Sequence, residues 1–151
     1  MSRIGSEGLV FVAIGIFLAV LWRRPWFLAV LVIADAAADA LSLGMRDWIG
    51  RERPPLVYPE PKPLVHVPHS GAFPSGHAAT AFACATVIAC RQRRLAVPAF
   101  VLAAAIAWSR VYVGVHWPLD VVGGAILGLG IGAVLVLLGR RWRFGGGGDS
   151  A

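Results

Sequence analysis

The chain has 151 residues, 58% of them hydrophobic, and a mean hydropathy of +0.71. Soluble domains are only about half apolar, so this composition excludes an ordinary soluble domain and predicts a membrane protein of one domain. The formal net charge is +6, but the basic residues lie between apolar runs and do not form one basic face, so nucleic acid is not an expected partner.

Five apolar runs follow one another along the chain. The hydrocarbon core of a bilayer, about 30 Å thick, is crossed by about 20 helical residues at about 1.5 Å each. The third and fourth runs have 16 and 15 residues, so we expect both to extend into the polar motifs beside them. The sequence predicts an all-α, polytopic membrane helix bundle with about five transmembrane helices. The predicted spans are Ile4–Trp22, Trp26–Met45, Ser75–Cys90, Leu95–Ser109 and Leu119–Gly139.

The second span carries a polar stripe with spacings of four, three and four, formed by Asp35, Asp39, Ser42 and Arg46. Because a carboxylate at the bilayer centre costs a few kcal/mol, we expect the stripe to face the bundle interior. The aspartates are candidates to hold the arginines that follow. Alternatively, one of them, Asp35 above all, is protonated and hydrogen-bonded within the helix packing.

The segment between Met45 and Phe73 is rich in Arg, Glu, Pro and His, with prolines at 54, 55, 59, 61, 63 and 68. It predicts an irregular extramembrane loop with a short helix at Arg46 to Ile49. His66 and His69 lie in this loop. They are a weak metal pair, because no carboxylate or cysteine stands at ligand spacing.

Small residues within the later spans indicate packing and not chemistry. Gly124, Gly128 and Gly132 share one face of the fifth span, which predicts close helix packing. Cys84 and Cys90 are six residues apart in the third span, a spacing that favours no metal site. We expect both to be small buried hydrophobes.

Three polar motifs stand at the ends of the spans: Arg46-x6-Arg53-Pro54, Pro74-Ser75-Gly76-His77 and Ser109-Arg110-x5-His116-x3-Asp120. Alone, the last motif could be a helix-capping pair with a snorkelling arginine. The order and spacing of all three together resemble the signature of the type 2 phosphatidic acid phosphatase and vanadium haloperoxidase superfamily. That family's first motif usually begins with lysine. Here Arg46 places a planar guanidinium, with its donors in a fork, where the family has a compact ammonium group.

The resemblance implies a role for each motif residue. His116 is the implied nucleophile, Asp120 fixes its tautomer, and His77 protonates the leaving oxygen. The implied phosphate cradle consists of Arg46, Arg53, Ser75, Gly76 and Arg110. Since three arginines supply positive charge and no carboxylate cluster offers a metal site, no metal or other cofactor is expected.

The implied function is an integral membrane lipid phosphatase that acts through a phosphohistidine intermediate. Its expected partner is a lipid phosphate: phosphatidate, phosphatidylglycerol phosphate or a polyprenyl diphosphate. One alternative is a non-catalytic membrane protein that only binds phosphate or lipid. A vanadate-dependent haloperoxidase is another, which the apolar spans disfavour. The sequence does not predict which lipid is used or the oligomeric state.

The charge pattern predicts the topology. The connections after spans one, three and five carry eight arginines, at positions 23, 24, 91, 93, 94, 140, 141 and 143. By the positive-inside rule this side is cytoplasmic, so the active site and the N-terminus face outside the plasma membrane and the C-terminus is cytoplasmic. A cleaved signal peptide is the alternative for the first run, but no cleavage site follows it. The family more often has six spans, and this chain is expected to lack one at its N-terminal end. Residues 1–144 are expected to form a single transmembrane phosphatase domain and residues 145–151 a flexible glycine-rich tail.

Overall fold

The computed structural model of the chain describes residues 8–58, 60 and 62–144, and within these ranges it contains helices and no strand. The helices are α1 (Gly8–Leu21), α2 (Pro25–Ile49), α3 (Pro54–Val57), α4 (Gly76–Arg91), α5 (Ala96–Tyr112) and α6 (Pro118–Phe144), with a 3-10 turn at Arg93–Leu95. This confirms the all-α bundle. The predicted tail at 145–151 and the start of the first predicted span lie outside the described residues.

Helix α4 is the centre of the bundle and contacts α1, α2, α5 and α6. Five of its eleven buried positions are alanine, and these small side chains let the other helices approach closely. Cys84 is buried in this core, as predicted. Cys90 is exposed, so the expectation that it is buried is wrong. It lies in the last turn of α4, beside the exposed residues Arg91 and Gln92.

The three glycines of α6 form its contact with α4. A Cβ at Gly124 or Gly128 would collide with the backbone carbonyl of Ser75 or Ala79, and one at Gly132 would lie 2.7 Å from Thr86 Cβ. Such distances leave no room for any side chain. The predicted packing face is therefore confirmed, and it brings the first turn of α6 beside the start of α4.

Three helical stretches of the described chain are long and apolar enough to cross a membrane: Pro25–Val57, Arg93–Tyr112 and Pro118–Gly139. Helix α1 is apolar but shorter, and α4 has 16 residues. Large apolar side chains such as Val101, Trp108 and Ile126 point away from the bundle, where lipid chains would contact them. The count of five membrane spans remains a prediction.

The loop after α2 differs from the expected one. Helix α2 runs on to Ile49 and ends at Gly50, whose left-handed φ of 62° terminates it. Residues 46–49 are thus the last turn of α2 and not a separate helix. The loop's own helical turn is α3, which begins with two prolines, residues that fit the first turn of a helix.

Candidate active site

The start of α4 is arranged to receive an anion. Ser75 is the N-cap of the helix and is fully buried; its Oγ has no hydrogen-bond partner among the described residues. A Cβ added at Gly76 would lie 3.1 Å from Ser42 Oγ and 3.2 Å from Arg46 Nη2. A hydroxyl without a hydrogen-bond partner, the N-terminus of a helix and a guanidinium therefore meet at one place. This combination favours a phosphate.

His116 lies in the turn between α5 and α6 and is 3% exposed. Its Nε2 is 3.2 Å from Arg53 Nη1. A guanidinium can only donate, so Nε2 accepts and the ring proton is on Nδ1. Burial lowers the pKa of His116. Asp120 partly offsets this lowering, because its negative charge favours the protonated ring. The ring is therefore neutral at neutral pH, with its lone pair on Nε2, as a nucleophile requires.

Asp120 connects this turn to α6. It is fully buried in the first turn of the helix, where a negative charge is favourable. Its Oδ2 accepts the Trp117 amide at 2.8 Å and lies 3.6 Å from His116 Nδ1. That second separation is longer than a hydrogen bond, so Asp120 acts on the imidazole mainly through its charge. The carbonyl of Asp120 accepts the Ser75 amide at 2.9 Å, which joins the second and third motifs.

Arg53 is 1% exposed, and each of its five N–H groups has an acceptor. Nε donates to the Ser70 carbonyl at 3.0 Å, and Nη2 donates to the Gly71 carbonyl at 3.1 Å and to Ser70 Oγ at 3.4 Å. Nη1 donates to the Val115 carbonyl at 3.0 Å and to His116 Nε2. Arg53 thus ties the loop before α4 to the turn before α6, a role that the sequence does not predict.

His77 and Arg110 complete the cluster. His77 follows Gly76 in the first turn of α4, and the charges of Arg110, Arg46 and Arg53 all act on it, as does His116. Arg110 is in the last turn of α5, where its Nε donates to Ser109 Oγ at 3.0 Å. The structure therefore brings all eight residues of the predicted site to one end of the bundle.

The polar stripe on α2 faces the interior only in part. Ser42 is fully buried, whereas 64% of the Asp39 side chain is exposed, so the expectation that the stripe points inward is wrong for Asp39. The buried line of α2 runs through Ala34, Ala38 and Ser42, because these small residues let α2 lie against α4. Asp35 is half-buried beside that line.

The two loop histidines do not form a metal-binding group with other residues of the described chain. His66 and His69 are both exposed, with ring centres 6.2 Å apart. In the described part of the chain, no three His, Cys, Asp or Glu side chains are grouped so that they could hold a metal ion. One further residue does join the cluster, however. Arg51 donates to Asp120, and the only sequence signal for it is its place inside the first motif.

The fold and the site define a helix bundle in which arginines and the N-terminus of a helix lie beside a neutral histidine. Residues 25–144 match the PAP2 superfamily, and the chain belongs to this family. The match confirms the resemblance carried by the three motifs, and with the apolar helices it makes the chain a multi-pass membrane protein.

Named relatives and a solved structure are similar to this chain. A putative undecaprenyl-diphosphatase of Escherichia coli, YbjG, is 38% identical over 66% of this chain and 52% of its own length. Phosphatidylglycerophosphatase B of Bacillus subtilis is 32% identical over 80% of this chain and 61% of its own length. The crystal structure of a transmembrane PAP2-type phosphatidylglycerolphosphate phosphatase from Bacillus subtilis superimposes with a TM-score of 0.67 at 27% identity, covering 87% of this chain and 68% of that one. The chain thus spans about half to three-fifths of the length of the two relatives.

Proposed function

We propose that the chain is an integral membrane lipid phosphatase that hydrolyses a phosphomonoester or diphosphate of a lipid through a phosphohistidine. The observation that carries the proposal is the neutral, buried His116, with its lone pair on Nε2, in the cluster built on the anion-binding start of α4. The names of relatives that act on lipid phosphates and diphosphates support the same class.

The proposed reaction has two steps. Nε2 of His116 attacks phosphorus, and the bond from phosphorus to the leaving oxygen breaks as protonated His77 gives that oxygen its proton. Water then attacks the phosphohistidine, loses a proton to His77 and releases inorganic phosphate, which restores the neutral imidazole. Arg46, Arg110, Ser75 and the Gly76 amide hold the phosphate oxygens throughout.

Arg53 would contribute at the moment of bond formation. In the free enzyme its Nη1 donates to His116 Nε2. When Nε2 bonds to phosphorus, this N–H loses its acceptor and lies beside the phosphoryl oxygens, where charge is developing. A donor that meets the substrate only in the transition state accelerates the chemical step more than one that binds both states equally.

We also propose that the site faces outside the plasma membrane, with the C-terminus in the cytoplasm. The basic connections lie at the end of the bundle opposite the site: the guanidinium of Arg91, at the far end of α4, is 5.4 Å from the centre of the Trp22 ring. Arg23 and Arg24 follow that tryptophan, so these positive charges gather on one side. Five membrane spans within one domain at 1–144 complete the proposal.

The function is tested by assaying phosphate release by purified protein in detergent. The panel is phosphatidate, phosphatidylglycerol phosphate and a polyprenyl diphosphate, each with and without EDTA and with orthovanadate. We expect turnover of at least one lipid, inhibition by vanadate and no effect of EDTA, because the arginines supply the positive charge. Binding without turnover would support a lipid-binding protein. Halide oxidation that depends on vanadate would support a haloperoxidase, and activity lost on chelation and restored by Mg²⁺ would indicate a metal enzyme.

Arg46 is expected to tolerate lysine but not alanine. Its Nε donates to the Ser42 carbonyl at 3.2 Å, while Nη2 is 4.0 Å from Asp39. Arg46→Lys keeps a cation over the start of α4 and should retain most of kcat/KM, whereas Arg46→Ala should lose about 2 to 3 kcal/mol of transition-state stabilisation. Asp39→Asn should cost at most about 1 kcal/mol, because that carboxylate is exposed. Equal losses from Asp39→Asn and Arg46→Ala would show that the carboxylate holds the guanidinium.

A further inference from the structure

The guanidinium of Arg51 is held by the third motif, and its backbone is held by the loop before α4. Its Nη1 donates to Asp120 Oδ1 at 2.8 Å, and its guanidinium carbon lies 5.8 Å from the centre of the Trp117 ring. Its carbonyl accepts the Ala72 amide at 2.7 Å, which fixes its backbone to the loop before α4. The next residue, Glu52, accepts the Trp117 indole N–H at 3.0 Å on its carbonyl.

These contacts decide which oxygen of Asp120 faces the nucleophile. The carboxylate is fully buried and has two oxygens, of which Arg51 binds Oδ1. The other, Oδ2, is left to the Trp117 amide and to His116 Nδ1. Without Arg51, Oδ1 would lose its charged donor, and the buried carboxylate could rotate to share its oxygens differently.

We infer that Arg51 is a positioning residue for the phosphatase reaction: its ion pair with Asp120 fixes the carboxylate that keeps the His116 proton on Nδ1. This inference rests on the proposed function. Arg51 touches neither the imidazole nor the phosphate site in this structure and acts through Asp120. In metal sites, removing a residue that orients a ligating histidine typically lowers affinity or activity about 10- to 100-fold, and we expect the same scale here.

Arg51 also bears on the charge that His116 faces, because it is paired with Asp120. The titratable or charged groups that face the imidazole are Asp120 on α6, Arg53 in the loop and His77 on α4. Asp120 raises the pKa of His116, and Arg51 offsets part of that negative charge. Removing Arg51 should therefore raise the pKa of His116. Since attack needs the neutral ring, the acid limb of kcat/KM should move to higher pH.

The test compares Arg51→Gln and Arg51→Lys with Lys62→Gln, which removes one positive charge from an exposed site in the same loop. We expect Arg51→Gln to lower kcat about 10- to 100-fold with little change in KM and to shift the acid limb upward. Arg51→Lys should recover part of both, and Lys62→Gln should match wild type. Wild-type kcat and an unshifted acid limb in Arg51→Gln would overturn the inference. If Arg51→Gln does not fold, the test uses Arg51→Lys: an upward shift of the acid limb of its kcat/KM profile supports the inference, and an unshifted limb overturns it.

A second measurement separates this inference from the proposed function. Histidine labelled with ¹⁵N reports by NMR, in detergent, which ring nitrogen of His116 carries the proton; the signal is assigned by its loss in His116→Asn. We expect Nδ1–H in wild type and a mixed tautomer in Arg51→Gln. If the wild type is inactive but Arg51→Gln changes the tautomer of His116, the phosphatase function is contradicted and the positioning role is supported. If the wild type is active but Arg51→Gln leaves the tautomer unchanged, the positioning role is contradicted and the phosphatase function is supported.

Discussion

Replacing His116 by asparagine is expected to abolish phosphate release while leaving a folded protein. The imidazole Nε2 is the only atom assigned to form a bond with phosphorus, and loss of a covalent nucleophile lowers kcat by about 10⁴-fold or more. Asparagine is suited to this test because the residue is 3% exposed and its side-chain oxygen can still accept from Arg53. Phosphate release from lipid phosphate, with thermal unfolding of the same preparation, measures both parts.

His116→Ala is the matched comparison. It should be equally inactive but less stable by about 1 to 3 kcal/mol, because it leaves a cavity and a buried Arg53 N–H without its acceptor. Turnover by either variant within tenfold of wild type would contradict the covalent mechanism. Inactivity with loss of cooperative unfolding in both variants would assign His116 to packing instead.

Arg53→Lys is expected to be nearly as severe, although it conserves charge. The guanidinium satisfies five contacts in a fork that joins two loops, and an ammonium has only three donors on one atom. Loss of at least two hydrogen bonds to a charged group should cost about 3 kcal/mol or more of folding stability. The fall in kcat/KM should be larger still, because Nε2 loses a donor that, together with Asp120 on the Nδ1 side, sets the tautomer of His116.

Arg46→Lys is the control for this prediction, since it makes the same change elsewhere in the cluster. The contrast follows from burial: Arg53 is 1% exposed and its donors end on protein atoms, whereas the Arg46 guanidinium overlies Gly76. Unfolding temperature and kcat/KM are measured for both variants. Equal effects of the two lysine substitutions would show that Arg53 is one more phosphate contact and no link between loops.

The sequence predicts the bundle and the cluster well because each depends on local signals. Apolar runs predicted the helices, and the family resemblance carried by the three motifs implied that His77 and His116 lie together. The glycine face of α6 follows from its four-residue repeat, which a helix turns into one line. These features need no knowledge of how one helix is rotated against another.

The rotation of α2 could not be predicted in the same way. Asp35 and Asp39 each lie one residue along the helix from the buried Ala34 and Ala38, and the two lines meet at Ser42. Close packing on the alanines of α4 selects the small residues. That choice leaves Asp39 exposed. The sequence could not predict the partners of Arg51 and Arg53 either, because these partners depend on the path of a proline-rich loop.

A covalent bond between His116 and the transferred phosphoryl group defines the proposed mechanism. It is tested most directly by a single-turnover reaction with lipid labelled in the transferred phosphate, quenched in alkali, which preserves phosphohistidine, and followed by peptide mapping. The covalent mechanism predicts acid-labile phosphate on the peptide that contains His116, and no label in His116→Asn. Rapid turnover with no labelled protein at any time, or label on another residue, would contradict it.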